Sequence, residues 1–223
     1  FYLFLSDLLT DTYVTPLFNF ESNVKNKGIE INDVEIRPIT ENEFYYFTNL
    51  DENQNLSNVF YNLTHVMYTT YSSDDLNSGY DVVKSRFELM LDALSLTGSG
   101  NPVFGAIFRN INNSWIHFDS KYDVDVIKQE SLFFDKKNTS KLKSIFSSLN
   151  GVDFNKKENS FLDIAKRRFS SALTRTNSVD QLIDLTVSLE SLFAPTPGEI
   201  TVRLSNRMAT LLAKDDSQRE DYW

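Results

Sequence analysis

The chain has 223 residues, 41% of them hydrophobic and 13% aromatic, which is enough apolar material for one large domain or two small ones. It has no cysteine, which excludes disulfides, thiolate zinc sites and cysteine nucleophiles and fits a reducing cytoplasm. The net charge of -9 is uneven: residues 1–150 hold 12 Lys/Arg against 20 Asp/Glu, and residues 151–223 hold 10 against 11. The charge objection to a nucleic-acid partner therefore falls on the front segment.

Apolar runs such as Phe1 to Leu5 and Val103 to Phe108 are far short of the ~20 residues that span a bilayer, so no membrane partner is expected. Both ends read as cuts, because the sequence starts at Phe1 rather than Met and a helix start signal at Ser217 lies just before Trp223.

Gly28 to Arg37 alternates apolar and polar residues around Asn32-Asp33, which predicts two short strands joined by a tight turn and ended by Pro38. Thr40-Glu-Asn-Glu43 has the spacing of a capping box and opens a short helix carrying Phe44 and Phe47. His65 to Tyr71 is β-branched and aromatic, hence a strand. Val83, Phe87, Met90 and Leu94 mark one face of a helix from Asp81 to Leu96, ended by Gly98-Ser-Gly100. Val103 to Arg109 and Ser114 to Phe118 read as paired strands around an Asn-rich turn. Leu142, Ile145, Phe146 and Leu149 face inward from a helix over Ser140 to Leu149.

After a polar linker from Asp153 to Asn159 only helices are predicted. Ser160 opens the first, with Phe161, Ala165, Phe169, Ala172 and Leu173 inward. Ser178 opens the second, with Leu182, Leu185, Leu189 and Leu192 inward, and Pro195 stops it. Thr196-Pro-Gly-Glu199 opens the third, with Ile200, Leu204, Met208, Leu211 and Leu212 inward. Ser217 starts a fourth.

The expected class is α+β: a mixed α/β region over residues 1–152, then an all-α bundle over 153–223. No glycine-rich phosphate loop, esterase elbow or paired-histidine zinc motif is present. His65 and His117 read as core or edge histidines, and no third metal ligand accompanies them. Asp123, Asp125 and Glu130 alternate with valines as a strand face does, rather than forming a calcium loop. Neither metal nor cofactor is expected. Lys166, Arg167, Arg168 and Arg175 form a candidate basic strip for RNA phosphates, weighed against an ordinary solvated helix face that Asp163 and Glu158 partly neutralise.

Arg168-Phe169, Leu182-Ile-Asp-Leu185, Leu189-Glu-Ser-Leu-Phe193, Glu199 and Ser205-Asn-Arg-Met-Ala-Thr-Leu-Leu212 occur in that order, and Arg219 follows. This pattern resembles the Apea-like branch of the HEPN superfamily over about 60 of the 223 residues. The resemblance implies an up-down helical bundle that dimerises and, in active members, cuts RNA without a metal. In such members an Arg and a His on the last long helix, with about four to six residues between them, hold phosphate charge and move the proton. His65 and His117 do not supply that pair, so no catalytic residue is expected within these 223 residues. Either the motif follows Trp223 or this is a non-catalytic scaffold. Glu190 reads first as a structural salt-bridge or hydrogen-bond residue, with Arg207 its partner by analogy to the family, and otherwise the two would organise a site.

Overall fold

The computed structural model describes residues 11–24, 28–49, 63–72, 76–111, 114–118, 130–193 and 200–213. The chain is α+β and divides into two compact units, Phe1–Gly151 and Val152–Trp223.

The front unit is built on an antiparallel sheet. Its strands are β1 (Asp11–Phe18), β3 (Ile29–Ile31), β4 (Val34–Pro38), β5 (His65–Tyr71), β6 (Val103–Phe104), β7 (Ile107–Ile111) and β8 (Ser114–Phe118), in the order β3-β4-β5-β1-β7-β8, with β6 also on β1. A separate parallel pair joins β2 (Phe20–Ser22) to β9 (Leu132–Phe134). The central strand β1 falls where the sequence carries no recognised strand signal. It is buried on both faces, so its residues do not alternate between apolar and polar, and it contains a proline.

Pro16 has no N–H to give to a ladder, and the pairing shifts around it. β1 meets β7 from Thr12↔Asn110 to Val14↔Phe108, then meets β6 at Leu17↔Phe104, so Thr15 and Pro16 face the longer stretch Gly105–Ile107. This is a β-bulge, and it divides the single strand predicted over Val103 to Arg109 into two. The Pro16 carbonyl accepts from the Gly105 N–H at 2.9 Å, and the Thr15 hydroxyl donates to the Gly105 carbonyl at 3.1 Å, so the bulge leaves neither group wanting.

Each face of the sheet carries its own core. Tyr13, Leu17, Ile36 and Met67 pack with Val83, Phe87, Met90 and Leu94 of helix α2 (Leu76–Ser95) and with Leu142 and Phe146 of helix α3 (Thr139–Asn150). Val14, Phe18, Val66 and Phe108 pack on the other side with Phe47 of helix α1 (Glu41–Asn49). Helix α2 starts five residues before the Asp81 expected from its apolar series. Gly100, at φ +121, passes so close to the Leu132 backbone that a Cβ would sit 2.4 Å from its nitrogen, so this turn requires glycine.

The rear unit contains helices α4 (Ser160–Thr174), α5 (Ser178–Phe193) and α6 (Ile200–Leu212). Two start signals sit one residue away from where they were expected. Asn159 precedes α4 and makes no side-chain cap, and the polar linker before it closes into a short 3-10 turn, Lys157–Asn159. Asn177, not Ser178, caps α5, its Oδ1 accepting from the N–H of Val179 at 2.8 Å.

The larger correction concerns α5. Asp184 and Ser188 are its buried residues, while Leu182 is 64% exposed, Ile183 54%, Leu189 37% and Leu192 38%. Of the four leucines expected inside, Leu182 is turned to solvent, whereas Leu185, Leu189 and Leu192 are partly buried. The small side chains Ala165 and Ala172 of α4 form the matching interior, and the Ser188 hydroxyl donates to the Ala165 carbonyl at 2.8 Å. Ser188 on α5 therefore meets Ala165 on α4, while Leu182 and Ile183 turn outward. Leu211, also expected inside, is 72% exposed on α6, which buries Ala209 instead. The side chains of Ile200 and Leu212, the candidate acids Asp123 and Asp125, and the start signals at Thr196 and Ser217 lie outside the described residues.

Candidate functional site

In the rear unit, two arginines converge on Asp184. It sits at mid-helix on α5 with its carboxylate 3% exposed, and its two oxygens are divided between two arginines. Arg168 donates from Nη1 to Oδ1 at 2.8 Å, and Arg175, which ends α4, donates from Nε to Oδ2 at 2.9 Å. The two hydrogen bonds, Arg175 first, hold the Asp184 carboxyl below the usual carboxylate range. Asp184 in turn holds the Arg175 guanidinium charged, with Asp180 adding to the field. Both arginines remain half exposed, so each keeps N–H groups beyond those that Asp184 occupies.

The other members of the predicted basic strip also have partners. Arg167 pairs with Asp163 one turn earlier at 2.8 Å, and the Lys166 ammonium lies 4.8 Å from the centre of the Phe154 ring. The strip is therefore a set of paired cations rather than a row of free ones. Glu190 is partly buried and Arg207 exposed. The buried acid of α5 is Asp184, six residues before the expected one. A signal for it was present: an Asp and a Ser four residues apart on the side of α5 away from Leu182 and Leu189, with two arginines upstream.

In the front unit, α1 and the β7–β8 hairpin enclose a cleft of about 580 Å³ lined by Thr40, Asn42, Tyr45, Tyr46, Asn110 and Trp115. Its floor is fixed by the capping box. The Glu43 carboxylate accepts from the Thr40 N–H and hydroxyl at 2.9 and 2.8 Å, while the Thr40 hydroxyl accepts the Glu43 N–H at 3.3 Å. Arg37 completes the group with two parallel hydrogen bonds to Glu43 at 2.9 and 2.6 Å. Burial opposes the Glu43 charge, but these donors outweigh it and hold the carboxyl below its usual range. Tyr46 donates its hydroxyl to the Trp115 carbonyl at 2.9 Å, and the two rings lie 5.7 Å apart. None of these cleft residues stood out in the sequence as a binding group.

Elsewhere in the sheet, Arg109 is buried against Asp11 and over the Tyr13 ring, and its Nε and Nη1 and the Tyr13 hydroxyl have no protein partner. His65 is a buried histidine with its Nδ1 2.8 Å from the Thr64 hydroxyl and Phe20 edge-on at 5.1 Å, and burial lowers its pKa. His117 is exposed on β8. Among the described residues, no His, Asp and Glu groups cluster as a metal site, and no helix is long and apolar enough to cross a membrane. The chain matches no family model, no curated protein and no solved structure.

Proposed function

We propose that the rear unit is a HEPN-like helical bundle that serves as a dimerisation and binding scaffold. The observation that carries this reading is the outward face of α5. Val179, Leu182, Thr186 and Leu189 recur there at steps of three and four with Ile183 beside them, which is how a helix presents a docking stripe. Charge selects the partner. Besides the buried Asp184, helix α5 carries Asp180 and Glu190 and no cation, whereas the α6 sequence holds Arg203 and Arg207 and no acid, with Val202 and Leu211 exposed. A second copy, related by a two-fold axis, places α5 of each chain on α6 of the other and matches apolar with apolar and acid with base.

The test is sedimentation of the chain over a range of concentrations together with charge reversal. Leu182→Asp is expected to leave a monomer. Glu190→Lys and Arg207→Glu are each expected to weaken the dimer, and their combination to restore it. A chain that stays monomeric at high concentration, or a double variant no better than either single one, overturns the reading.

A second reading, metal-independent RNA cleavage, rests on the family resemblance. One observation favours it: Arg168 and Arg175, held half exposed by Asp184, retain donors suited to a backbone phosphate. Cleavage of RNA by the full-length protein in the presence of a chelator would establish it. Binding without cleavage would leave the scaffold reading in place.

A further inference from the structure

Asp11, Tyr13 and Arg109 share one face of the sheet, because Asp11 and Tyr13 are two residues apart on β1 and Arg109 is the partner of Tyr13 across the β1–β7 ladder. All three are buried, at 4%, 0% and 6% exposure. Arg109 donates from Nη2 to Asp11 Oδ2, and its guanidinium carbon lies 5.6 Å from the centre of the Tyr13 ring. Three buried polar atoms, Arg109 Nε, Arg109 Nη1 and the Tyr13 hydroxyl, have no hydrogen-bond partner among the described residues. Buried donors left in that condition are costly, and folded proteins satisfy nearly all of theirs.

Hydrogen-bonding capacity and charge together restrict what these atoms can meet. The guanidinium nitrogens only donate, so their partner must accept, which excludes a cation. Burial, opposed by the nearby Arg109 charge, raises the Tyr13 pKa and keeps the phenol protonated, so it adds an O–H donor and its own lone pairs. An anion is disfavoured, because Asp11 already balances Arg109 and a second negative charge would be buried without a counter-charge. Residues 1–150 also carry eight more acids than bases. What fits is an uncharged oxygen with lone pairs. It has a short way in: Ile116, the partner of Arg109 on β8 and on the same face, is 45% exposed.

We propose that Arg109 and Tyr13 form an internal site for an uncharged acceptor oxygen, that of an ordered water or of a small carbonyl compound. The oxygen takes a hydrogen from the guanidinium and bonds to the Tyr13 hydroxyl, so the buried ion pair is solvated from inside the sheet rather than left with idle donors. The site lies wholly within the front unit and does not depend on the function proposed for the helices.

The experiment uses the 223-residue chain labelled with nitrogen-15 and reads the Arg109 Nε–H signal, assigned through the β7 backbone. Magnetisation transfer between this proton and water, or a saturable shift on titration with N-methylacetamide, is expected; the first identifies water as the source of the oxygen and the second a carbonyl compound. Sodium acetate and inorganic phosphate, at an ionic strength matched with sodium chloride, are expected to leave the signal in place. Tyr13→Phe keeps the ring and removes the hydroxyl, and should hold the same oxygen about fivefold more weakly, seen as a shorter water residence or a higher midpoint of the amide titration. A saturable shift with acetate or phosphate, a proton that responds to neither water nor the amide, or an unchanged response in Tyr13→Phe would each overturn the proposal.

Discussion

In the front unit Tyr13, Phe47, Phe87 and Phe134 are enclosed by sheet and helices, whereas in the rear unit the fully buried apolar side chains among the described residues are Ala165, Ala172 and Ala209. Among the described residues, eight of the thirteen large exposed hydrophobic residues lie on the rear helices. The difference shows two ways of holding a chain together. Large rings remove much apolar surface from water, at ~25 cal/mol per Å², and stabilise the sheet without help. Alanine and serine allow two helices to approach closely but bury little, so the α4–α5 pair relies on Asp184 and its arginines, and several of its larger residues stay exposed.

The comparison can be broken at its strongest point first. Phe87→Ala, in the α2 core, is expected to cost about 3–5 kcal/mol, measured by denaturant unfolding. No apolar truncation on α4, α5 or α6 should approach that loss. If one did, the rear unit would have a hidden core.

Asp184→Ala comes next. It leaves two arginines facing alanines with no counter-charge, and thermal unfolding followed by circular dichroism should show the rear helices melting earlier while the sheet transition stays in place. Asp184→Asn, which keeps two polar atoms, should fall between the two. Equal melting of Asp184→Ala and the parent chain would remove the polar lock from the account.

Acidity separates the units through different groups. Burial keeps the His65 pKa below the ordinary value of ~6.5, so as pH falls through that value the unfolded chain gains a proton that the folded chain declines. Front-unit stability is therefore expected to fall below about pH 6.5, and His65→Gln to flatten that slope. Asp184 works in the opposite range. Its folded pKa is depressed, so its contribution is complete above the ordinary carboxylate value of ~3.9 and is lost only as pH drops further.

The smallest effect is expected for Leu182→Gln. An exposed leucine contributes little within its own chain, and the change should stay within about 0.5 kcal/mol in dilute monomer. A loss of 2 kcal/mol or more, as a buried leucine would give, would place Leu182 back inside.

How much of this was legible in the sequence follows from whether the determinants are local. The capping box at Thr40–Glu43, the strand His65–Tyr71 and the hairpin around Asn32-Asp33 all depend on neighbours within a few residues, and all three appear where they were expected. Asn32 even adopts the left-handed backbone, at φ 52, that such a turn asks of asparagine. Strand β1 was not legible, because a strand buried on both faces loses the alternation by which strands are recognised. The candidate site residues Lys166, Arg167, Arg168 and Arg175 were legible as a charged run, but their pairing was not, since Asp184 approaches two of them only when α5 folds back on α4.

The sequence by itself determined where most helices begin and end, the acidic front, and the absence of cysteine chemistry, because capping, charge and composition need no distant partner. Only the tertiary structure decided which side of α5 turns inward. Leucine spacing states that a helix has an apolar stripe; whether that stripe meets its own chain or another surface depends on what the facing helix offers. Here α4 offers alanines and two arginines, and these take Asp184 and Ser188.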